Sequence, residues 1–512
     1  MKTFVIKPLL RYHQPIPTDR VLYPAKALFL GLFITQILAS TQVYISNSEL
    51  YQFLLAINDA GYFSIPNELT MKRLTGFNPA FFGGLFFTLS IGASLSISGI
   101  TAAWIWDRLF NRNKYLLIPF SVLWSATFFA VNFHGFCLIY TFYIFIIPAT
   151  VFAATLKWMP SKVKKNKGLN LIILAVSIIL PALLWAPRFS NDIFLDFRDN
   201  LLLSNSFGNK INNFYYKYTL YPAEVFKSFE QKLLKSCNLN EIKKNSLKQL
   251  LEKELLNHDY LPLMKDVHCD LKIIEDRGLL ILMNKDRVIL NVTPAEFLSM
   301  PGFILKKFSL KTDKQVFFRH FTFFSLLIGF PITLYIVFYS MFHLISSFFF
   351  NFINSSLIAS ILCLIFGIST IIPLYIAEIK LTDPNDISKA IESERWQDRV
   401  AAYKTIESKR LEVSDFKPYN NVKASPNIAE RYWYARALGV SRNSKTYNEL
   451  LSLLDDPHPN VVCMALYSLG QRGKKTTVNK IMSIIKSSDD WYTQDYAYRA
   501  IRKLGWIQTK LE

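Results

Sequence analysis

The chain has 512 residues, of which 51% are hydrophobic, and it carries a formal net charge of +20. Half of that excess lies in residues 1–187, where lysines and arginines occupy short loops between long uncharged runs. Positive charge distributed in this way is typical of membrane topology and argues against nucleic-acid binding.

Five stretches between Lys26 and Glu378 contain no Asp, Glu, Lys or Arg. An apolar helix needs about 20 residues to cross a bilayer, so each of the two longest stretches has room for a pair. The pattern predicts seven transmembrane helices, at 27–46, 83–105, 115–133, 137–156, 169–186, 321–344 and 355–377. Because none of these spans holds an acidic or basic residue other than histidine, an ion-coupled transporter is disfavoured.

The loop charges predict an orientation in the membrane, because basic loops stay on the cytoplasmic side. The amino-terminal segment and the loops after the second and fourth spans are basic, whereas the loop 49–73 holds more acidic than basic residues. This places the N-terminus in the cytoplasm and both 188–319 and the C-terminal region outside it. A composition rich in Lys, Asn and Ile fits an AT-rich bacterial genome, which predicts the inner membrane and the periplasm.

The same pattern divides the chain into four parts and predicts a mainly α fold. These are a five-helix membrane region (1–187), an inserted extracytoplasmic α+β domain (188–319), a two-helix transmembrane hairpin (320–378) and a helical repeat domain (379–512).

The inserted domain shows both helical and strand patterns. Pro222 with the apolar spacing from Val225 to Leu233 predicts one helix, the leucines of 247–255 a second, and Thr293-Pro294 the start of a third. Three β-rich runs, 271–275, 279–283 and 288–292, predict a small antiparallel meander. The aromatic segment 214–221 fits either the headgroup level of the membrane or the core of the domain.

Two cysteines and two histidine–aspartate pairs of this domain are candidates for covalent or metal chemistry. An exported location would permit a disulfide between Cys237 and Cys269, and two buried thiols are the equal alternative. The pairs His258-Asp259 and His268-Asp270 could bind a metal, although such pairs are common in polar loops. No C-x-x-C, C-x-x-C-H or H-E-x-x-H motif occurs, so the sequence predicts no metal site and no cofactor.

The C-terminal region contains a repeated pattern. Four segments, 402–407, 434–439, 465–470 and 500–505, recur at intervals of 31 to 35 residues; the last three end in Leu-Gly, and two have the full form A-x-x-x-L-G. Apolar runs at 447–454 and 478–485 lie between them. A period of this length is typical of stacked helical pairs, each of which buries its apolar face against its neighbours.

The Asp455-Asp456-Pro457 turn, the Val461 and Val462 that follow it, and the A-x-x-x-L-G endings resemble HEAT repeats of the short bacterial, bilin-lyase-like class. The resemblance covers about 388–507 and implies a protein-binding scaffold without catalytic residues. Val462 and Gln494 stand where the family commonly has arginine, which puts the usual polar contacts between repeats in question.

Aromatic and basic residues are concentrated in two of the repeats, and residues of these types are enriched at interface hot spots. Either they fill the core and cap of the repeats, or they form a face that binds an extracytoplasmic protein or the 188–319 domain. The candidate partner-binding residues are Arg431, Trp433, Tyr434, Arg436, Trp491, Tyr492, Arg499, Arg502 and Trp506.

Three functions remain open at this point. The favoured one is a membrane scaffold or complex subunit whose repeats bind a protein partner outside the cytoplasm. A membrane enzyme acting on a lipid-linked or periplasmic substrate would use Asp192, Asp196, Asp199 and Arg198 beside the fifth span. An accessory subunit of a transport complex is the third.

Overall fold

The computed structural model describes residues 19–133, 135–160, 168–188, 192–263, 269–376, 383–416 and 422–510. The chain is mainly helical, with one small sheet and a C-terminal stack of helical pairs.

Long apolar helices form a bundle from the two membrane regions of the sequence. Six of the described helices are long and apolar enough to cross a bilayer, and a seventh is added if the bent pair Ile172–Arg188 and Ile193–Leu202 is one span. The helices of the first part are α1 (Asp19–Asp59), α2 (Glu68–Met71), α3 (Phe77–Phe87), α4 (Ala93–Arg108), α5 (Ile118–Asn132), α6 (Leu138–Trp158) and α7 (Gly168–Trp185).

The predicted second span consists of α3 and α4, joined by a π-helical turn at Thr88–Gly92. Its small residues allow α1 to approach closely, since a Cβ atom added at Gly84 would lie 2.7 Å from the backbone nitrogen of Ser40. One added at Gly92 would lie 2.5 Å from the side chain of Thr35. These glycines therefore pack within the bundle.

The inserted domain has its own apolar core, which includes Cys237, Leu251, Phe297 and Phe308. Its sheet has the order β2-β1-β3-β4-β5, in which β1 pairs in parallel with β2 and β3, and the last three strands form the predicted antiparallel meander. The strands are β1 (Lys235–Glu241), β2 (Tyr260–Pro262), β3 (Leu271–Asp276), β4 (Leu279–Asn284) and β5 (Arg287–Val292). The helices of this part are α8 (Ile193–Phe197), α9 (Ser206–Tyr218), α10 (Leu220–Phe226), α11 (Asn245–Asn257), α12 (Pro294–Ser299) and α13 (Pro301–Thr312).

Two of the helix predictions in this domain are confirmed, and one is wrong in extent. Helix α11 covers the leucine pattern, and Thr293 caps α12 by accepting a hydrogen bond from the backbone of Glu296. The helix predicted through Leu233 ends at Phe226, because Lys227 is extended and the chain turns toward β1. Phe229, counted as part of that helix, stacks instead on Phe308 of the domain core.

The second membrane region and the repeats complete the chain. A π-helical turn at Ser325–Gly329 joins α14 (Val316–Phe324) to α15 (Phe330–Ser347), and α16 (Phe352–Ile376) follows. The repeats contain α17 (Pro384–Ile391), α18 (Trp396–Lys409), α19 (Ile428–Val440), α20 (Ser444–Ser452), α21 (Pro459–Arg472), α22 (Val478–Ser487) and α23 (Trp491–Lys503).

The helical bundle has two ends with different neighbours. At the first, called here the loop end, Arg108 donates a hydrogen bond to the carbonyl oxygen of Pro160 at 2.7 Å. At the second, called here the domain end, Phe82 of α3 contacts Phe214 and Tyr218 of α9. The inserted domain therefore lies at the end of the bundle opposite the α4–α5 connection and Pro160.

Candidate functional site: the docking face of the repeats

The first helices of the repeats, α18, α19, α21 and α23, stack in order on one another. Close packing depends on the glycines that end the repeated motif. A Cβ atom at Gly439 would lie 2.7 Å from the hydroxyl oxygen of Ser468, and one at Gly470 would lie 3.1 Å from the Cα atom of Ala500. The A-x-x-x-L-G pattern therefore marks where one repeat contacts the next.

Arginines at one repeat position connect the first repeats. Arg399 forms a two-pronged ion pair with Glu430, at 2.7 and 2.8 Å, and Arg431 forms one with Asp456, at 2.7 and 3.2 Å. Val462 and Gln494 occupy the equivalent positions in the later repeats. The polar contacts questioned on sequence are thus present in the first two repeats, and the later repeats use this position differently.

A set of side chains on the first helices contacts the rest of the chain, and we call this set the docking face. Each member touches either the 60–76 segment or residues 196–260. The docking face comprises Lys404, Tyr432, Trp433, His458, Trp491, Tyr492, Gln494, Tyr498 and Arg502.

The docking face begins at a buried ion pair beside α8. Asp199 accepts hydrogen bonds from Arg198, at 2.6 and 2.9 Å, and from the indole nitrogen of Trp433 at 2.7 Å. The guanidinium of Arg198 lies 3.9 Å from the ring centroid of Tyr432. Both members of the pair are at least 95% buried, so each requires the other and the aromatic side chains of α19.

The middle of the docking face meets α9 and α10. His458 contacts the amide oxygen of Asn209 at 3.0 Å, and Tyr492 shares a 2.8 Å hydrogen bond with the hydroxyl of Thr219. Burial lowers the pKa of His458 to about 4, so this imidazole is neutral at neutral pH. Trp491 packs edge-on against Tyr221. The aromatic segment 214–221 therefore contacts the repeats in part, in addition to α3.

The last repeat contacts the 60–76 segment through amide side chains. Asn67 donates to the carbonyl oxygens of Ile485 and Ser488, at 2.8 and 2.9 Å, near the C-terminus of α22. Gln494 accepts from the backbone nitrogen of Asn67 and donates to Thr70. Its departure from the family arginine thus has a structural reason, because an amide both donates and accepts at this buried contact.

Arg502 binds the C-terminal end of α11. Its guanidinium lies 2.9 Å from a carboxylate oxygen of Asp259 and donates to the carbonyl oxygen of Asn257 at 2.7 Å. Tyr498 donates to the same carboxylate at 2.6 Å. A cation at a helix C-terminus is favoured by the free carbonyls and the helix dipole.

The sequence candidates therefore divide into two groups. Trp433, Trp491, Tyr492 and Arg502 lie on the docking face and contact this chain's own segments. The others make contacts within the repeats: Arg431 pairs with Asp456, Tyr434 packs on Tyr403, Arg436 pairs with Glu407, Arg499 pairs with Asp495, and Trp506 packs on Tyr498.

Sequence reasoning missed the residues on the other side of these contacts. Asn67, Asp259 and Gln508 are ordinary polar residues, and Gln508 bonds both backbone groups of Phe63 at 2.9 Å. The sequence signal that pointed to these contacts was Gln494, because it stands where the HEAT-repeat pattern commonly has arginine.

The other chemical candidates occupy structural contacts. Asp196 pairs with Lys404 at 2.8 Å, Asp199 with Arg198, and Asp192 is exposed ahead of α8. Cys237 is a buried free thiol and Cys269 a half-buried one, and the disulfide between them stays a prediction. Asp259 and Asp270 accept protein hydrogen bonds, and His268 lies outside the described residues.

A stack of helical pairs with these inter-repeat contacts is a helical-repeat domain, and comparison with known families agrees. Residues 420–502 match the family model described as HEAT repeats. Neither the curated proteins nor the solved structures gave a significant match to the chain.

Proposed function

We propose that this protein is a membrane-embedded scaffold. The apolar helices cross the bilayer seven times, and the repeats and the inserted domain form one block on the extracytoplasmic side of a bacterial inner membrane. The repeats recruit a protein partner through the surface that the docking face leaves free. The observation that carries this proposal is the docking face itself, which fixes the repeats to the 60–76 segment and to residues 196–260 of the same chain.

Contacts at the two ends of the bundle support the seventh span. The α6–α7 connection begins at Pro160, at the loop end, and α8 lies at the domain end beside Trp433. These positions support an α7 that runs the length of the bundle, and the residues from 168 to 188 are long enough for about 30 Å of bilayer. With seven spans, the 60–76 segment, the inserted domain and the repeats all lie on one side.

The orientation is tested with fusions at the two ends of the bundle. Alkaline phosphatase, which works only outside the cytoplasm, should be active when fused after Lys510 and inactive when fused after Trp158. A fluorescent protein that folds only in the cytoplasm should give the reverse result. Fluorescence from the C-terminal fusion alone would overturn the arrangement, and with it the extracytoplasmic role of the repeats.

The surface of the repeats around α22 is basic. Between Pro457 and Ser488 there is no acidic residue, and four lysines in that range are exposed on or before α22. These are Lys474, Lys475, Lys480 and Lys486. Complementary charge governs partner choice and the rate of association, so we propose that the partner presents an acidic surface to this lysine patch.

The partner surface is tested by reversing charge on α22. We expect Lys480→Glu with Lys486→Glu to remove a partner that co-purifies with the wild-type chain from crosslinked native membranes, while the thermal midpoint is unchanged because both lysines are exposed. Lys243→Glu with Lys253→Glu, in the inserted domain, changes net charge equally and should retain the partner. Loss in both variants, or in neither, would contradict the assignment.

The third function, an accessory subunit of a transport complex, is a special case of the scaffold in which the bound partner is a transport protein. A transport ATPase recovered with the wild-type chain and lost from the α22 variant would identify that case. The enzyme alternative receives no support from Asp196 and Asp199, because both carboxylates bind cations or the indole of the repeats.

A further inference from the structure

A cleft of about 590 Å³ lies where α1, the inserted domain and the last repeat meet. Its volume is within the range of sites that hold small ligands. The walls combine apolar and charged side chains. Leu50 and Phe53 come from α1, Phe229 from the segment before β1, and Trp491 from α23.

The cleft lies at the boundary of two predicted spans. Glu49, the first charged residue after the span 27–46, lies in one wall. Lys314 and Gln315, which directly precede α14 and the sixth span, lie in another. Under the membrane placement proposed above, the cleft is therefore at the level of the lipid headgroups of the outer leaflet, where tryptophan is favoured.

Most of the carboxylates that line the cleft are already paired with basic side chains of the protein. Of the cleft's four carboxylates, Glu224 pairs with Lys227, Asp270 accepts from the backbone of Ser236 and lies 3.4 Å from Lys232, and Asp313 pairs with Arg319. Among the residues that the structure describes, Glu49 alone of the four has no ion pair.

Two lysines of the lining, Lys285 and Lys314, also have no ion-pair partner among the described residues, and both are exposed. The lining therefore offers two free cations against one free carboxylate. An anion is the ligand that such a balance favours, and phosphate oxygens are strong acceptors for lysine.

We propose that this cleft binds the phosphate-bearing headgroup of an anionic membrane lipid. Lys285 and Lys314 would contact the phosphate, and the acyl chains would remain in the bilayer beside α1. Leu50, Phe53 and Trp491 would contact the glycerol and upper chain region. This inference rests on the proposed membrane placement but not on the protein partner.

The test is native mass spectrometry of the detergent-purified full chain, titrated with phosphatidylglycerol, phosphatidylcholine or inorganic phosphate. We expect phosphatidylglycerol to be retained in preference to phosphatidylcholine. Lys285→Glu with Lys314→Glu should weaken phosphatidylglycerol binding by at least about tenfold. Each charge-assisted hydrogen bond to the phosphate contributes a large part of the binding free energy of a weakly bound lipid. The control Lys243→Glu with Lys253→Glu carries the same charge change outside the cleft and should bind as the wild type.

Each other result overturns the proposal. Equal binding of the two lipids would show that the cleft does not require an anionic headgroup. Equal loss in the control variant shows a general charge effect. Saturation by inorganic phosphate with no added affinity from the lipid identifies free phosphate as the ligand. The Lys480→Glu, Lys486→Glu chain should bind lipid normally, so failure of the partner proposal is distinguished from failure of this one.

Discussion

Replacing Asp199 by alanine is expected to destabilise the docked repeats by about 3–5 kcal/mol. Asp199 is 1% exposed and accepts hydrogen bonds from Arg198 and from the indole of Trp433. Removing the carboxylate leaves a buried guanidinium without its anion and a buried N–H group without its acceptor, which costs more than the lost ion pair contributes. The measurement is the thermal midpoint of the detergent-purified chain, together with the rate at which a protease cleaves the repeats.

Neighbouring Asp196 supplies the matched control. It pairs with Lys404, and both side chains are about one-third exposed, so Asp196→Ala should cost less than about 1 kcal/mol. The double substitution Arg198→Met with Asp199→Leu removes both buried charges and should recover much of the loss of Asp199→Ala. If Asp199→Ala is no more harmful than Asp196→Ala, the ion pair does not hold the repeats in place.

The long apolar helices and the repeat stack could be predicted from the sequence because each has one local cause. Charge-free runs identify apolar helices whatever surrounds them, and the A-x-x-x-L-G period follows from contacts between adjacent repeats. By contrast, β1 was not predicted. Its sequence, Lys235–Glu241, contains no β-branched or aromatic residue, and it becomes a strand because β2 and β3 pair on either side of it.

The docking face shows the limit of residue-type reasoning about sites. Trp433, Tyr492 and Arg502 were identified as interface residues, and they do lie in contacts. Hot-spot composition does not distinguish another protein from a distant part of the same chain, because the chemistry of both contacts is identical. The difference depends on where Asp199, Thr219 and Asp259 lie in three dimensions, and the sequence around each of them does not predict that position.

Replacing Asn67 by aspartate gives the sharpest test of the contact between the last repeat and the 60–76 segment. Asn67 caps α2 by accepting from Thr70, and its amide donates to the carbonyl oxygens of Ile485 and Ser488. Aspartate is an equally good helix cap but has no donor. If the contact with α22 matters, Asn67→Asp should cost at least as much as Asn67→Ala, about 2–3 kcal/mol, because a buried carboxylate would face carbonyl oxygens.

The opposite result has an equally clear meaning. Should Asn67→Asp be neutral while Asn67→Ala destabilises, the residue acts only as a cap, and the repeats are not held through the 60–76 segment. Arg73→Ala is the control, since the pair of Arg73 with Asp489 is exposed and should contribute about 0–1 kcal/mol. Combining Asn67→Ala with Gln494→Ala should cost less than the sum of the two, because both side chains serve one connected set of hydrogen bonds. The thermal midpoint of the purified chain reports all five variants, Gln494→Ala included, on one scale, and strict additivity would place the two residues in independent contacts.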